Sequence, residues 1–203
     1  MCSIMVTRNK IKELVEINQF RGNFSWSVYD MGTNKVQKGF GTFPINNNFS
    51  DNWKIMHVQA PTGGLKQEEN RIHPTEIDST KLWHNGIITP RGVRYMQQKL
   101  NTNEDFDTLL LHKMINKYGF DCLSDIEGGF ACLYLKDNNV YIFRTQHLKL
   151  HINEECITSE RAPGTKIINA DTIYQIEFNE KLTWKEVSYF KTKRYNYIIK
   201  GEL

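Results

Sequence analysis

The chain opens on a short apolar run, "SIMV", directly behind Met1-Cys2. Such a run without alternation predicts a strand buried on both faces. In "NKIKELVEINQF" the apolar residues Ile11, Leu14, Val15 and Phe20 fall near helical spacing, which predicts an amphipathic helix ending before Arg21-Gly22. "FSWSVYDM" alternates and is aromatic, as a strand does, and "GTNKVQKGFGTF" reads as a turn with an edge strand. "NWKIMHVQA" is a further strand, closed by the loop "PTGG". "LKQEENRIHPTEIDS" reads as a polar connection, and "KLWHNGII" as an apolar strand broken at Asn85-Gly86.

Two helices follow, over "RGVRYMQQKLN" and "DFDTLLLHKMINKYG". In the second, Leu109, Leu110, Met114 and Ile115 lie near one face, Asp107 stands at the start and Gly119 caps the end. "GGFACLYLKDNNVYIFRT" predicts a hairpin around Asp137-Asn138-Asn139, and "CITSE", "KIINA", "TIYQIEF" and "LTWKEVSYF" predict further short strands. This order suits an α+β domain of layered sheets and helices. No repeat or linker interrupts it, so residues 1–203 are expected to form a single domain.

Composition changes this picture little. The chain is 39% hydrophobic and 24% charged, which is globular. With 26 Lys and Arg against 23 Asp and Glu the net charge is +3, and no stretch is basic enough to act as a phosphate-binding arm. The densest, "KTKRYNYIIK", reads as a solvated tail or strand, so direct nucleic-acid binding is not expected. The start turns charged too early for a signal peptide and no segment has the length of a membrane span, which leads to the expectation of a cytoplasmic protein without a membrane partner. Cys2, Cys122, Cys132 and Cys156 form no CxxC pair, and Cys122 and Cys132 read as small core residues. His147 and His151 in "HLKLH" have helical metal-ligand spacing but lie among strands, where such positions sit too far apart; no metal is expected.

The residue with the most chemistry is Cys2. Removal of Met1 would leave it with both a thiol and a free α-amine. The thiolate is the reactive form, and a thiol of ordinary pKa near about 8.5 needs a base. An α-amine that titrates near about 7.7–8.0 is a usable one. A terminal cysteine alone is equally the second residue of any gene. It gains meaning if oxyanion donors exist, and "LWHNGII" offers the Asn85 amide and the Gly86 N–H. Asn-Gly is also a strong hairpin-turn signal, and both readings stand on the residues alone.

The motifs in series resemble the class II glutamine amidotransferase domains, which are N-terminal-nucleophile hydrolases. "MCSI" stands at the nucleophile end; "QFRGNFSWSV" keeps Arg21, Gly22 and Ser25; "HVQAPTGG" keeps His57, Val58, Pro61, Thr62 and Gly64. "NRIHP", "LWHNGII", the "DFDT" helix, "IEGGFACLYL" and "CITSE" follow in the family's order, and the resemblance spans nearly the whole chain. It implies a four-layer αββα sandwich of two antiparallel sheets flanked by helices. It also implies Cys2 as nucleophile, Asn85 and Gly86 as the oxyanion hole, and Asp107 as the partner of a substrate ammonium, a residue that otherwise reads as a helix N-cap. Arg21 would order the nucleophile end, and Thr62 and His57 would belong to the substrate pocket.

Some positions depart from the family. Gln59 stands where the family's arginine pairs with the α-carboxylate of glutamine, and a neutral amide cannot form that bidentate pair. Arg71 either supplies the charge or faces solvent. Ser3 replaces a glycine, Ala60 an aromatic residue and Leu109 an acidic one. The implied substrate is glutamine or another γ-glutamyl amide, with no cofactor. The implied partner is a separate synthase or other ammonia-acceptor protein, and an inactive relative kept as a binding module is the third reading.

Overall fold

The computed structural model describes residues 2–45, 49–60 and 68–193. Its strands form two antiparallel sheets. The first contains β1 (Ser3–Thr7), β2 (Ser25–Asp30), β3 (Lys35–Phe40), β4 (Lys54–Gln59), β9 (His151–Ile152), β10 (Cys156–Thr158) and β11 (Lys166–Ile167), in the order β11-β9-β10-β1-β4-β2-β3. The second contains β5 (Thr75–Ile77), β6 (Thr80–Ile88), β7 (Gly128–Lys136), β8 (Asn139–Arg144), β12 (Thr172–Phe178) and β13 (Leu182–Tyr189), in the order β13-β12-β8-β7-β6-β5.

Side-chain alternation builds the layers. On β1, Ile4 and Val6 enter the core between the sheets with Ile55, Trp83, Leu133 and Ile142, while Met5 faces the other way. There it meets Leu14 and Val15 of α1 (Ile11–Asn18), together with Val28, Met56 and Val58. The second sheet is covered by α2 (Pro90–Leu100) and α3 (Asp107–Tyr118), which set Met96, Leu110, Leu111, Met114 and Ile115 against Leu82, Phe130, Cys132 and Phe143. Each such fully buried side chain contributes about 1.5–3 kcal/mol from desolvation. The layers run α1, first sheet, second sheet, α2 with α3: the αββα sandwich implied by the resemblance. Cys122 and Cys132 are buried in the helix-side core, as read from the sequence.

Local signals account for most boundaries. Thr89 caps α2 by accepting the Gly92 N–H, with Pro90 in the first turn, and Gly119 ends α3 at φ +68°. The hairpin between β7 and β8 turns on Asp137 and Asn138, both at positive φ. Two expectations are corrected. The polar connection contains a 3₁₀ turn at Glu69–Arg71 and the strand β5. Asn85-Gly86 does not break a strand or make a turn; both sit inside the nine-residue β6, paired with Ala131 and Phe130. The hairpin turn of this region is at Asp78-Ser79, with Asp78 at φ +50°. No described helix is long and apolar enough to cross a membrane. The "PTGG" loop with Thr62, and the basic tail beyond Lys193, lie outside the described residues.

Candidate active site

One cleft of about 330 Å³ opens beside the end of β1, and its walls include Cys2, Gln59, Arg71, Gly86 and Asp107. These five come from five segments between residues 2 and 107, so only the fold assembles them. Among the described residues, no group of three His, Cys, Asp or Glu side chains is arranged to hold a metal ion.

Cys2 shares the strand face of Ile4 and so projects into the space between the sheets. It is buried, and burial pushes its thiol pKa up, opposed by the Ala60 N–H that bonds the sulfur. The resting side chain is therefore a protonated thiol that needs a base to become a nucleophile. Arg21 holds this end of the chain. Its Nε donates to the Cys2 carbonyl at 2.9 Å and its guanidinium pairs with Glu160. The approach depends on Gly22: a Cβ there would lie 2.4 Å from the Gln59 backbone carbon. Ser3 points to the opposite face, where its hydroxyl bonds Asn18 of α1, so its departure from glycine does not alter the cleft.

Asn85 projects into the same inter-sheet space, on the face of Trp83. It is fully buried; Nδ2 donates to Ser159 Oγ at 3.3 Å and Oδ1 has no partner among the described residues. Gly86 has φ +148°, and a Cβ there would meet the Gly129 carbonyl at 2.1 Å, so no other residue fits. The direction of its N–H follows from the ladder. Its partner Phe130 sends both its N–H and its C=O to Thr145, away from β6. Gly86 and Phe130 are thus a non-hydrogen-bonded pair, and the Gly86 N–H faces the opposite edge, where β5 has ended and the cleft begins.

That edge is finished by side chains. The His84 N–H donates to His73 Nδ1 at 3.3 Å, and His57 Nε2 donates to the His84 carbonyl at 3.2 Å. The Ile88 N–H reaches Asp107 Oδ2 at 3.5 Å. Burial lowers the pKa of His57 to about 3, that of His73 well below the usual range and that of His84 below it, so all three rings are neutral near pH 7. His57 does not line the cleft; it stands behind His73 as a support.

Asp107 is the first residue of α3, while Phe106 is the N-cap, so the capping alternative is not what the carboxylate does. Arg71 lies over the Phe106 ring at 5.7 Å and pairs with Glu68 at 3.2 Å and Asp105 at 2.5 Å. It does line the cleft, with its charge already met by two carboxylates. Gln59 is held at both ends of its amide: Oε1 accepts from Ser25 at 2.6 Å and Nε2 donates one N–H to the Arg71 carbonyl at 3.2 Å. Sequence reading assigned no part to His73, His84, Ser159 or Glu160. "NRIHP", "LWHNGII" and "CITSE" marked their segments, but not what their side chains touch.

No protein-family model matches the chain, and no curated protein matches it. Solved structures do. One is the glutamine phosphoribosylpyrophosphate amidotransferase from B. subtilis complexed with ADP and GMP, at 17% identity and TM-score 0.63. Another is the allosteric regulatory enzyme of purine biosynthesis, at 17% identity and TM-score 0.66. Each match covers 92% of this chain and 49% of that one, so the chain spans about half the length of these structures. At that identity the likeness is one of fold: this chain shares the αββα sandwich of these structures.

Proposed function

We propose that the protein is a glutamine amidohydrolase of the class II amidotransferase type, with Cys2 as its nucleophile once Met1 is removed. One observation carries the reading: a buried Cys2 thiol, the Gly86 edge of β6 and the Asp107 carboxylate border a single cleft that also holds a cation, Arg71. Its volume suits an amino-acid-sized substrate.

In the proposed reaction the Cys2 sulfur attacks the side-chain amide carbon, and the thiol proton passes to the Cys2 α-amine. Asn85 Nδ2 and the Gly86 N–H stabilise the tetrahedral oxyanion, each such donor being worth about 10²–10³ in kcat. The amine returns the proton to the departing nitrogen, and ammonia leaves. Water then adds to the glutamyl thioester, its proton returns to sulfur, and glutamate is released. The neutral histidines favour the amine as base, since His57 and His73 are bonded to the β6 backbone. Asp107 would pair with the substrate ammonium and Arg71 with its carboxylate; Arg21 holds the Cys2 carbonyl and His57 supports His73. The reaction needs no metal or organic cofactor. The ammonia would pass to a separate synthase or other acceptor protein in the cytoplasm.

A second reading is favoured by Gln59. Its amide is neutral and already gives one N–H to the Arg71 carbonyl, so it cannot form an ion pair with a substrate carboxylate, and Arg71 must leave Asp105 or share it. That suits a γ-glutamyl amide other than free glutamine. Ammonia release from glutamine, compared with amine release from γ-glutamyl amides, tests both readings. Turnover of either class that disappears in Cys2→Ala supports the nucleophile. Absence of turnover with every amide would leave the chain as a binding module and end the proposal.

A further inference from the structure

Ser159 follows β10 and is buried, 2% exposed. Its N–H donates to the Ile4 carbonyl at 3.0 Å, and its Oγ accepts the Ile4 N–H at 2.9 Å. It is therefore tied at both ends to the strand that carries Cys2. The same Oγ receives the Asn85 amide from the other sheet at 3.3 Å. One hydroxyl thus bridges the nucleophile strand and the oxyanion strand.

Both bonds that reach this oxygen are donated to it, and Asn85 Oδ1 is buried with no partner among the described residues. An Asn amide can turn end for end within the same volume. Reversed, Asn85 Oδ1 accepts the Ser159 O–H, the hydroxyl still accepts from Ile4, and the unpartnered place is taken by Nδ2 with protons to give. Leaving a buried amide oxygen unpaired costs about 1–3 kcal/mol; the reversed state pairs that oxygen with the Ser159 hydroxyl proton and leaves Nδ2 to be satisfied by an oxygen of the substrate. It is also the one in which the amide can serve an oxyanion.

We infer that Ser159 is a positioning residue: it fixes the Asn85 amide, through its hydroxyl proton, with Nδ2 turned toward the reacting carbonyl. The inference rests on the amidohydrolase reading and adds to it the group that orients the oxyanion donor. No bond to Ser159 changes during the reaction.

The test is a double-mutant cycle on amide hydrolysis by the full chain with Met1 removed. Ser159→Ala is expected to lower kcat about 10- to 100-fold, with KM within about threefold of the starting protein. Asn85→Ala is expected to lower it about 100- to 1000-fold, and the double variant no further, since Ser159 acts only through Asn85. Alkylation of Cys2 by iodoacetamide, which forms no oxyanion, is expected to keep its rate in Ser159→Ala. Ser159→Thr and Ser159→Val share one shape and differ in the hydroxyl; only the Thr variant is expected to retain turnover. Effects of Ser159→Ala and Asn85→Ala that multiply, or equal turnover in the Thr and Val variants, would overturn the Ser159 role while leaving the amidohydrolase intact. A starting protein without turnover would remove both.

Discussion

The rings of His57 and His73 lie 4.2 Å apart, centroid to centroid, and between them they satisfy both backbone groups of His84. At this point β6 has run past the end of β5, so two imidazoles do the work of a neighbouring strand. The His73 half of this arrangement requires a neutral ring: a protonated His73 Nδ1 could not accept the His84 N–H.

Stability should therefore fall as the medium is acidified. An unfolded histidine titrates near about 6.5. In the folded chain burial lowers His57 to about 3 and His112 to about 4, with His73 also well below its usual value. Between the two values the unfolded chain binds protons that the folded chain does not, so stability is lost as pH falls from about 6.5 toward about 4. The slope approaches about 1.4 kcal/mol per pH unit for each such histidine. Burial works against Asp30, but hydrogen bonds from Ser50 and Asn52 outweigh it and hold its carboxyl low, so its own loss comes only below about pH 4. Urea midpoints at pH 8, 6.5, 5.5 and 4.5 check this; a flat profile across that range would show that the histidines are not held neutral.

Gly86→Ala should be among the most damaging single-methyl changes in the chain. The added carbon would sit 2.1 Å from the Gly129 carbonyl and the residue would keep φ +148°. Backbone strain of this kind costs about 1–3 kcal/mol before any clash is counted. A thermal midpoint lowered by several degrees, with hydrolysis lost even at temperatures where the variant is folded, is the expected result. A folded variant with normal turnover would mean that the Gly86 N–H serves no oxyanion.

How much of this was legible in sequence differs by residue. The hairpin at Asp137-Asn138, the α3 cap at Gly119 and the doubly buried β1 are local, and composition at those positions predicted them. Asn85-Gly86 was ambiguous because the same pair suits a turn. What keeps it in a strand is non-local: Gly129 from β7 leaves room only for glycine, and Ser159 meets the Asn85 amide. Ser159 lies 74 residues from Asn85 and Glu160 lies 139 from Arg21, so no window of sequence brings them together. The motif order resembling a known family grouped Cys2, Asn85, Gly86 and Asp107; Cys2, Gly86 and Asp107 line one cleft, while Asn85 is fully buried and not among its lining residues. It did not reveal that Gln59 bonds the segment bearing Arg71.

That last contact predicts a division of labour. Arg71→Ala should raise KM about 10- to 100-fold for amides that carry a carboxylate, the loss expected for one charge-assisted hydrogen-bond pair, and leave carboxylate-free amides unchanged. Gln59→Leu keeps Arg71 but removes the bond to its carbonyl, and should raise KM in the same direction by less. Steady-state kinetics on both substrate classes checks the pair. Equal effects on both classes would make Arg71 a structural residue.

The central claim is that Cys2 becomes an N-terminal nucleophile, and intact-mass analysis of the purified chain after a glutamine-like electrophile tests it most directly. The account predicts loss of Met1 and a single adduct, mapped to Cys2 and absent from Cys2→Ala. Burial pushes Cys122 to about 12 and Cys156 to about 11, so neither should compete. Retention of Met1 on the labelled molecules, or an adduct at Cys122 or Cys156 in place of Cys2, would contradict it.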